Sequence, residues 1–144
     1  MSEPKTSRAL LRVGRGLGRI GREQAHAAAG LTPQQAEALQ LIADLGAVST
    51  SVLAVRLGID PSTASRNLGG LERSGYVAKR RGPDDGRTSD IRLTARGRRL
   101  AEVLSNGWAR AYAALLDRMP RSERQSVSEA LQRLADLVDP RGAR

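Results

Sequence analysis

Residues 60–94 read DPSTASRNLGGLERSGYVAKRRGPDDGRTSDIRLT, and the reading of this stretch decides the fold. Asp60 is placed to accept hydrogen bonds from the free amides of a first helical turn, Pro61 suits the first helical position and Gly75 suits a left-handed stop. A helix between them is therefore punctuated at both ends. At 100° per residue Ala64, Leu68 and Leu71 share one narrow apolar face, while Ser62, Arg66, Gly69 and Arg73 line the opposite one. After Gly75 the pattern changes to Tyr76-Val77-Ala78-Lys79-Arg80-Arg81, a turn-rich run from Gly82 to Ser89, and Ile91-Arg92-Leu93. That order is a β-hairpin with a charged tip.

Immediately upstream, Val48 to Ser51 offers a short extended piece and a serine cap for a helix from Val52 to Leu57, closed by Gly58. Leu53, Leu57 and Ile59 are its core candidates, and Ala54 is small where two helices must approach closely. A short helix, the turn Gly58-Ile59-Asp60 and a capped helix make a helix-turn-helix, in which the second helix projects its N-terminal side chains. Ser62, Thr63, Ser65 and Arg66 are those side chains; Arg66 has the geometry to grip a guanine edge with two hydrogen bonds, and the hydroxyls serve bases or phosphates. Taken alone they are equally consistent with a polar first turn and a solvated arginine. The basic hairpin that follows tips the balance toward a winged helix.

Farther upstream, Leu31-Thr32-Pro33-Gln34-Gln35 starts another helix, with Thr32 as cap and Gln35 placed to return the capping-box bond. Ala36, Leu39, Gln40 and Ala43 continue it, Leu41, Ile42 and Leu45 are available to the core, and Gly46 ends it. From Ser7 to Ala29, Leu10, Val13, Leu17 and Ile20 form a helical stripe, with Arg8, Arg12, Arg15, Arg19 and Arg22 around it. Gly14, Gly16, Gly18 and Gly21 each cost about 1 kcal/mol in a helix interior, so this segment needs a surface to pack on. Past the hairpin, Thr94 caps a helix carrying Leu100, Val103, Leu104, Ala111 and Leu115 to about Met119, where Pro120 breaks it. Trp108 and Tyr112 share one of its faces and suit packing or an interface better than a pocket. Ser122 with Gln125 opens a last helix through Val127, Leu131, Leu134 and Val138 to Pro140.

The 144 residues carry a formal charge of +9, which points toward polyanions. Residues 1–30, 31–94 and 95–144 contribute +4, +1 and +4, so bulk charge does not single out the helix and hairpin. Within them, Arg66 to Arg92 holds seven basic residues against four acidic ones. With no cysteine there is no disulfide framework, thiolate metal site or cysteine switch, and His26 alone cannot assemble a histidine zinc site. No catalytic constellation, metal site or cofactor-binding glycine loop is present in the pattern, so an enzyme is not expected. The apolar runs are too short for a membrane span or signal peptide, and a cytoplasmic protein is expected.

The segments LTPQQAEAL, LAVRLGIDPSTASRNLGGLERSGYV and PDDGRTSDIRLTARG together resemble the MarR family of winged-helix transcriptional regulators, over nearly the whole chain. The most specific part is the hairpin, where Asp85-Gly86-Arg87 precedes Leu93-Thr94 and Gly97. The resemblance implies that Arg87 enters the minor groove and Asp85 steadies the wing, with Thr88 beside them; a narrow groove concentrates negative potential and suits a guanidinium. Gly86 departs from the basic residue often found there, and Gly69-Gly70 is an unusual pair inside a recognition helix, costing roughly 2 kcal/mol of propensity or allowing close approach to DNA or a packing helix.

The expected fold class is mainly α with a small β-hairpin wing. Its divisions are an N-terminal dimerisation helix over 1–30, a winged helix-turn-helix over 31–95 and C-terminal dimerisation helices over 96–144. Leu10, Val13, Leu17, Leu115, Val127, Leu131, Leu134 and Val138 are the expected dimerisation residues, and Arg73, Lys79, Arg80 and Arg81 the expected phosphate contacts. The implied function is a homodimeric, sequence-specific DNA-binding regulator, a repressor reading a pseudo-palindromic operator in double-stranded DNA. A small-molecule effector between the winged helix and the dimerisation helices is implied as well, with no cofactor and no membrane. The competing reading is an architectural or protein-interaction winged helix without sequence choice.

Overall fold

A computed structural model describes residues 4–81 and 89–138. Their elements are α1 (Pro4–Ala29), α2 (Pro33–Leu45), α3 (Thr50–Leu57), α4 (Pro61–Arg73), β1 (Val77–Arg81), β2 (Ser89–Leu93), α5 (Ala95–Leu116) and α6 (Arg121–Val138). They fall into two compact units, Met1–Trp108 and Ala109–Arg144, with the boundary inside α5. The fold is the expected mainly α winged helix with a small antiparallel hairpin. Among the described residues no helix is long and apolar enough to cross a membrane.

Local chemistry explains most boundaries in the first unit. The capping box at the start of α2 is complete: the Gln35 amide donates to Thr32 Oγ1 (3.2 Å) and the Thr32 amide donates to Gln35 Oε1 (3.1 Å). Ser49, not a later serine, caps α3, its Oγ accepting from the Val52 amide at 3.2 Å, so the helix begins at Thr50 rather than Val52. Val48 is then free to pair with Ile91 in both directions, at 3.1 and 2.8 Å, which fastens the loop before α3 to the hairpin.

The core closes where helices and hairpin meet. Leu39 and Ile42 of α2, Leu53 of α3, Leu68 and Leu71 of α4, Ile91 of β2 and Leu104 of α5 are fully buried. Each contributes about 1.5–3 kcal/mol by leaving water. Ala64, Leu68 and Leu71 form the buried face of α4 as their spacing requires, and Ala54 is buried in α3. Leu45 and Val103 differ from expectation, at 43% and 54% exposed, because periodicity places a residue on a face without showing whether anything covers it. The lower half of α1 joins this core through Ala25, and Gln24 lies so close to α5 that a Cβ on Gly107 would stand 2.7 Å from its Oε1.

The start of α5 is fixed by a close backbone approach. Thr94 Oγ1 accepts from the Gly97 amide (3.0 Å) and donates to the Gly75 carbonyl (2.6 Å), while the Thr94 amide donates to the Tyr76 carbonyl (3.0 Å). That carbonyl lies where a side chain at position 97 would begin: a Cβ built on Gly97 falls 1.9 Å from Tyr76 O. Only glycine fits.

In the second unit Arg124 closes the turn before α6, with Nε donating to the Met119 carbonyl (3.1 Å), Nη1 to Asp117 Oδ1 (2.9 Å) and Nη2 to the Asp117 carbonyl (2.7 Å). The helix begins at Arg121, one residue before Ser122, and Gln125 donates forward to Glu129 at 2.8 Å instead of accepting from a cap amide. Pro140, the expected stop, lies outside the described residues.

Gly69 and Gly97 are both helical but have opposite surroundings, which predicts opposite effects of one methyl. Gly97→Ala should lose roughly 3 kcal/mol, because the backbone must separate. Gly69→Ala, whose Cβ would meet only Arg73 Nη1 at 3.4 Å, should gain up to about 1 kcal/mol. Urea unfolding of the two variants measures this; equal shifts of the same sign would contradict it.

Candidate nucleic-acid interface

The N-terminus of α4 is organised by Asp60. Its Oδ1 accepts from the Thr63 amide at 2.9 Å and from the Ser62 hydroxyl, and its Oδ2 accepts from Thr63 Oγ1 at 2.6 Å. Hydrogen bonds from the Ser62 side chain first, then the Thr63 side chain and amide, hold the carboxyl well below the usual carboxylate range. Both hydroxyl hydrogens are thereby committed. Ser62 and Thr63 keep oxygen lone pairs free, whereas the side chains of Ser65 and Arg66 are exposed and make no hydrogen bond or ion pair among the described residues.

The rest of the helix carries its outer face to a firm stop. The Tyr76 amide donates to the Leu71 carbonyl and the Gly75 amide to the Glu72 carbonyl, both at 2.9 Å, with Gly75 at φ +76°. These are the paired bonds of a Schellman stop, and they turn the chain straight into β1. Despite Gly69-Gly70, α4 runs unbroken to Arg73. Gly70 makes room for Gln35: a Cβ there would stand 2.7 Å from Gln35 Nε2, the side chain of the α2 capping box. Asn67 Nδ2 donates to Gln34 Oε1 at 3.2 Å beside it, so both glutamines that open α2 brace α4. Gly69 lies on the exposed side, flanked by Arg66 and Arg73.

In the hairpin, Val77 pairs with Leu93, Lys79 with Ile91 and Arg81 with Ser89. Alternation puts Val77 and Ile91 in the core and Ala78, Arg80 and Arg92 on the other face. The expected phosphate residues therefore separate. Lys79 approaches Glu72 of α4 at 3.8 Å, Arg73 and Arg81 are exposed without an ion pair among the described residues, and Arg80 turns into a groove. That groove, about 800 Å³, lies between α2, the hairpin and the first part of α5, and Arg80, Arg92, Arg98, Asp44 and Glu102 are among the residues that line it. Arg92 is 3.9 Å from Asp90, and Arg98 Nη1 donates to the Leu93 carbonyl at 3.1 Å. Asp85, Gly86, Arg87 and Thr88 lie outside the described residues.

Sequence reasoning missed the supporting contacts. The long-range contacts of Gln34, Gln35 and Arg96, whose guanidinium lies 4.9 Å from the centre of the Tyr76 ring, carried no local signal, although Gln35 was legible as part of the capping box. Gly97 did carry one: a glycine three residues after a threonine cap, where helix propensity disfavours it.

The sequence model of the MarR family matches residues 29–88, from the end of α1 to the hairpin. An uncharacterized HTH-type transcriptional regulator of Bacillus subtilis (strain 168), YdgJ, is 29% identical over 113 residues, covering 78% of this chain and 69% of that protein. Over residues 29–88 the chain resembles the MarR family. Among solved structures, a MarR family protein from Bacillus stearothermophilus is 25% identical with a TM-score of 0.83, covering 93% of each chain. Streptococcus pneumoniae FabT in complex with DNA shares the fold at 18% identity and a TM-score of 0.79, covering 94% of this chain and 96% of that one. The family consists of transcriptional regulators, which are not enzymes.

The depressed Asp60 carboxyl makes the cap of α4 pH-dependent with a definite sign. A carboxyl lowered in the folded state contributes its full stability above its unfolded value of about 3.9 and loses it as pH falls toward the folded value. Asp60→Asn keeps a capping side chain but cannot titrate. Thermal melts should show a wild-type advantage that is constant from pH 7 to about 5 and shrinks below about 4; a difference independent of pH would contradict the assignment.

Proposed function

We propose that this protein is a homodimeric repressor of the MarR family that reads a pseudo-palindromic operator. The observation that carries the reading is the exposed outer face of α4, braced from behind by Gln34 and Gln35 and stopped cleanly at Gly75. On it Arg66 and Ser65 read base edges in the major groove, with Ser62 and Thr63 contributing acceptor oxygens. Arg73, Lys79 and Arg81 hold phosphates. Arg87, steadied by Asp85 and joined by Thr88, enters the minor groove. The solved FabT complex supports DNA as the partner of a chain with this fold.

Homodimerisation is supported by uncovered apolar residues. Leu10, Val13, Leu115, Leu131, Leu134 and Val138 are 56, 48, 43, 42, 40 and 83% exposed on the single chain, and Leu17 and Val127 are half-buried. Each unit thus leaves large apolar side chains uncovered, which suits a partner chain. The proposed division of labour gives 1–30 and 96–144 to subunit pairing and 31–95 to the duplex. A two-fold dimer then reads half-sites about 10–10.5 base pairs apart or a multiple of that.

The groove beside Arg80, Arg92 and Arg98 is the proposed site of a small effector. To release the operator, such a ligand must bind the DNA-incompetent arrangement more tightly than the competent one.

Two substitutions test the reading. Arg66→Ala should cost about 1–3 kcal/mol on the operator and relax preference at one base pair in a titration of single-base operator variants. Equal losses on operator and random duplex would remove Arg66 from base reading. Arg87→Ala should weaken binding most where an A·T flank narrows the minor groove; unchanged affinity at such flanks would contradict the wing assignment.

A further inference from the structure

The helix and hairpin do not hold most of the basic surplus, and α1 presents a large share of it in one line. Arg8, Arg12, Arg15, Arg19 and Arg22 recur at spacings of four, three, four and three. At 100° per residue they fall within about 80° of one another over about 21 Å of helix. All five are exposed. Their only ion pair among the described residues joins Arg19 to Glu23 at 4.0 Å, with both side chains about two-thirds exposed or more, an arrangement of little energetic weight.

The borders of the row are low. Gly16 flanks it on one side and Gly14 and Gly18 on the other, and a Cβ built at Gly14 or Gly16 meets nothing within 4 Å. The fold therefore does not require glycine at those two positions, although each costs about 1 kcal/mol of helix stability. Missing side chains beside an arginine row let an extended polyanion come close to the helix while guanidinium groups grip it.

The chemistry selects the partner. A guanidinium matches the paired oxygens of a phosphate, and a duplex offers one charge per about 1.7 Å of its axis, enough to engage the whole row. A second copy of this chain is a poor complement, since α6 sets Glu123, Glu129 and Asp136 against Arg121, Arg124 and Arg133 and the whole chain is +9. A bilayer surface is disfavoured because α1 contains no Trp, Tyr or Phe to anchor it.

We propose that the arginine row of α1 is a second, sequence-independent duplex-binding surface, which holds phosphates outside the base pairs read by α4. The inference rests on the DNA-binding reading above. The phosphates come either from the flanks of the bound duplex or from a second duplex.

The test uses the full chain and the variant Arg8→Gln/Arg12→Gln/Arg15→Gln, with binding to a 20-base-pair operator, the same operator inside 60 base pairs, and a labelled duplex captured by immobilised operator. The variant should flatten the dependence of log K on log salt by about 0.9 per lost contact, hence by up to about 2.7, in at least one arm. The ratio of operator to random binding should stay unchanged, and the matching arginine-to-lysine variant should keep most of the slope. A change confined to the 60-base-pair duplex assigns the flanks, and a loss confined to capture assigns a second duplex; either supports the proposal. An unchanged slope in every arm overturns it, as does a changed subunit mass by light scattering with an unchanged slope. Operator preference that depends on Arg66 while the slope ignores α1 overturns this inference alone. A slope that depends on α1 without any operator preference overturns the proposed function and leaves the row standing.

Discussion

The contact between the Tyr76 carbonyl and the Gly97 Cα is the constraint on which the first unit depends. Tyr76 closes the Schellman stop of α4 through its amide, opens the hairpin, and accepts from Thr94 through its carbonyl. Thr94 ends the hairpin and caps α5. Three elements thus share two short backbone stretches, and the bare Cα of Gly97 is what lets them meet. Because the bonds are backbone to backbone or to one hydroxyl, the angle between α4 and the start of α5 is set by hydrogen-bond geometry and not by side-chain packing alone. A change in the groove beside the hairpin and α5 therefore acts on elements tied directly to the end of α4.

The opposite end of α4 is constrained by a different economy. Asp60 fixes the first turn and, in doing so, commits the hydroxyl hydrogens of Ser62 and Thr63. Of the small polar residues that open the helix, Ser65 alone keeps a donor free beside Arg66. In the proposed reading, base discrimination by one head rests on few side chains, and pairing two heads would become part of specificity. The exposed apolar residues of α1, α5 and α6 fit that requirement.

Most helix limits were legible because they are written in neighbouring residues: Thr32 with Gln35, Asp60 with Pro61, and Gly75 after Arg73. The buried face of α4 was legible for the same reason, its period being local. Errors arose where two local solutions competed, as at Ser49 and at Ser122 with Gln125. Close approach to a packing helix was one expected use of Gly69-Gly70, but the side chain that fills the space at Gly70 could not be named, since Gln35 lies far along the chain. The separation of Arg80 from Lys79 and Arg81 needed the pairing register, which a run of basic residues does not reveal by itself. Family resemblance supplied what local chemistry could not, the expected roles of Asp85 and Arg87, which lie outside the described residues.

The central claim is that geometry concentrated in α4 and the hairpin, presented twice by a dimer, selects one sequence from genomic DNA. The most direct measurement is capture of sheared genomic fragments by the purified full chain, followed by sequencing. The account predicts one enriched pseudo-palindrome whose half-sites lie about 10–10.5 base pairs apart or a multiple of that. A flat profile, with fragments recovered in proportion to length alone, would contradict it.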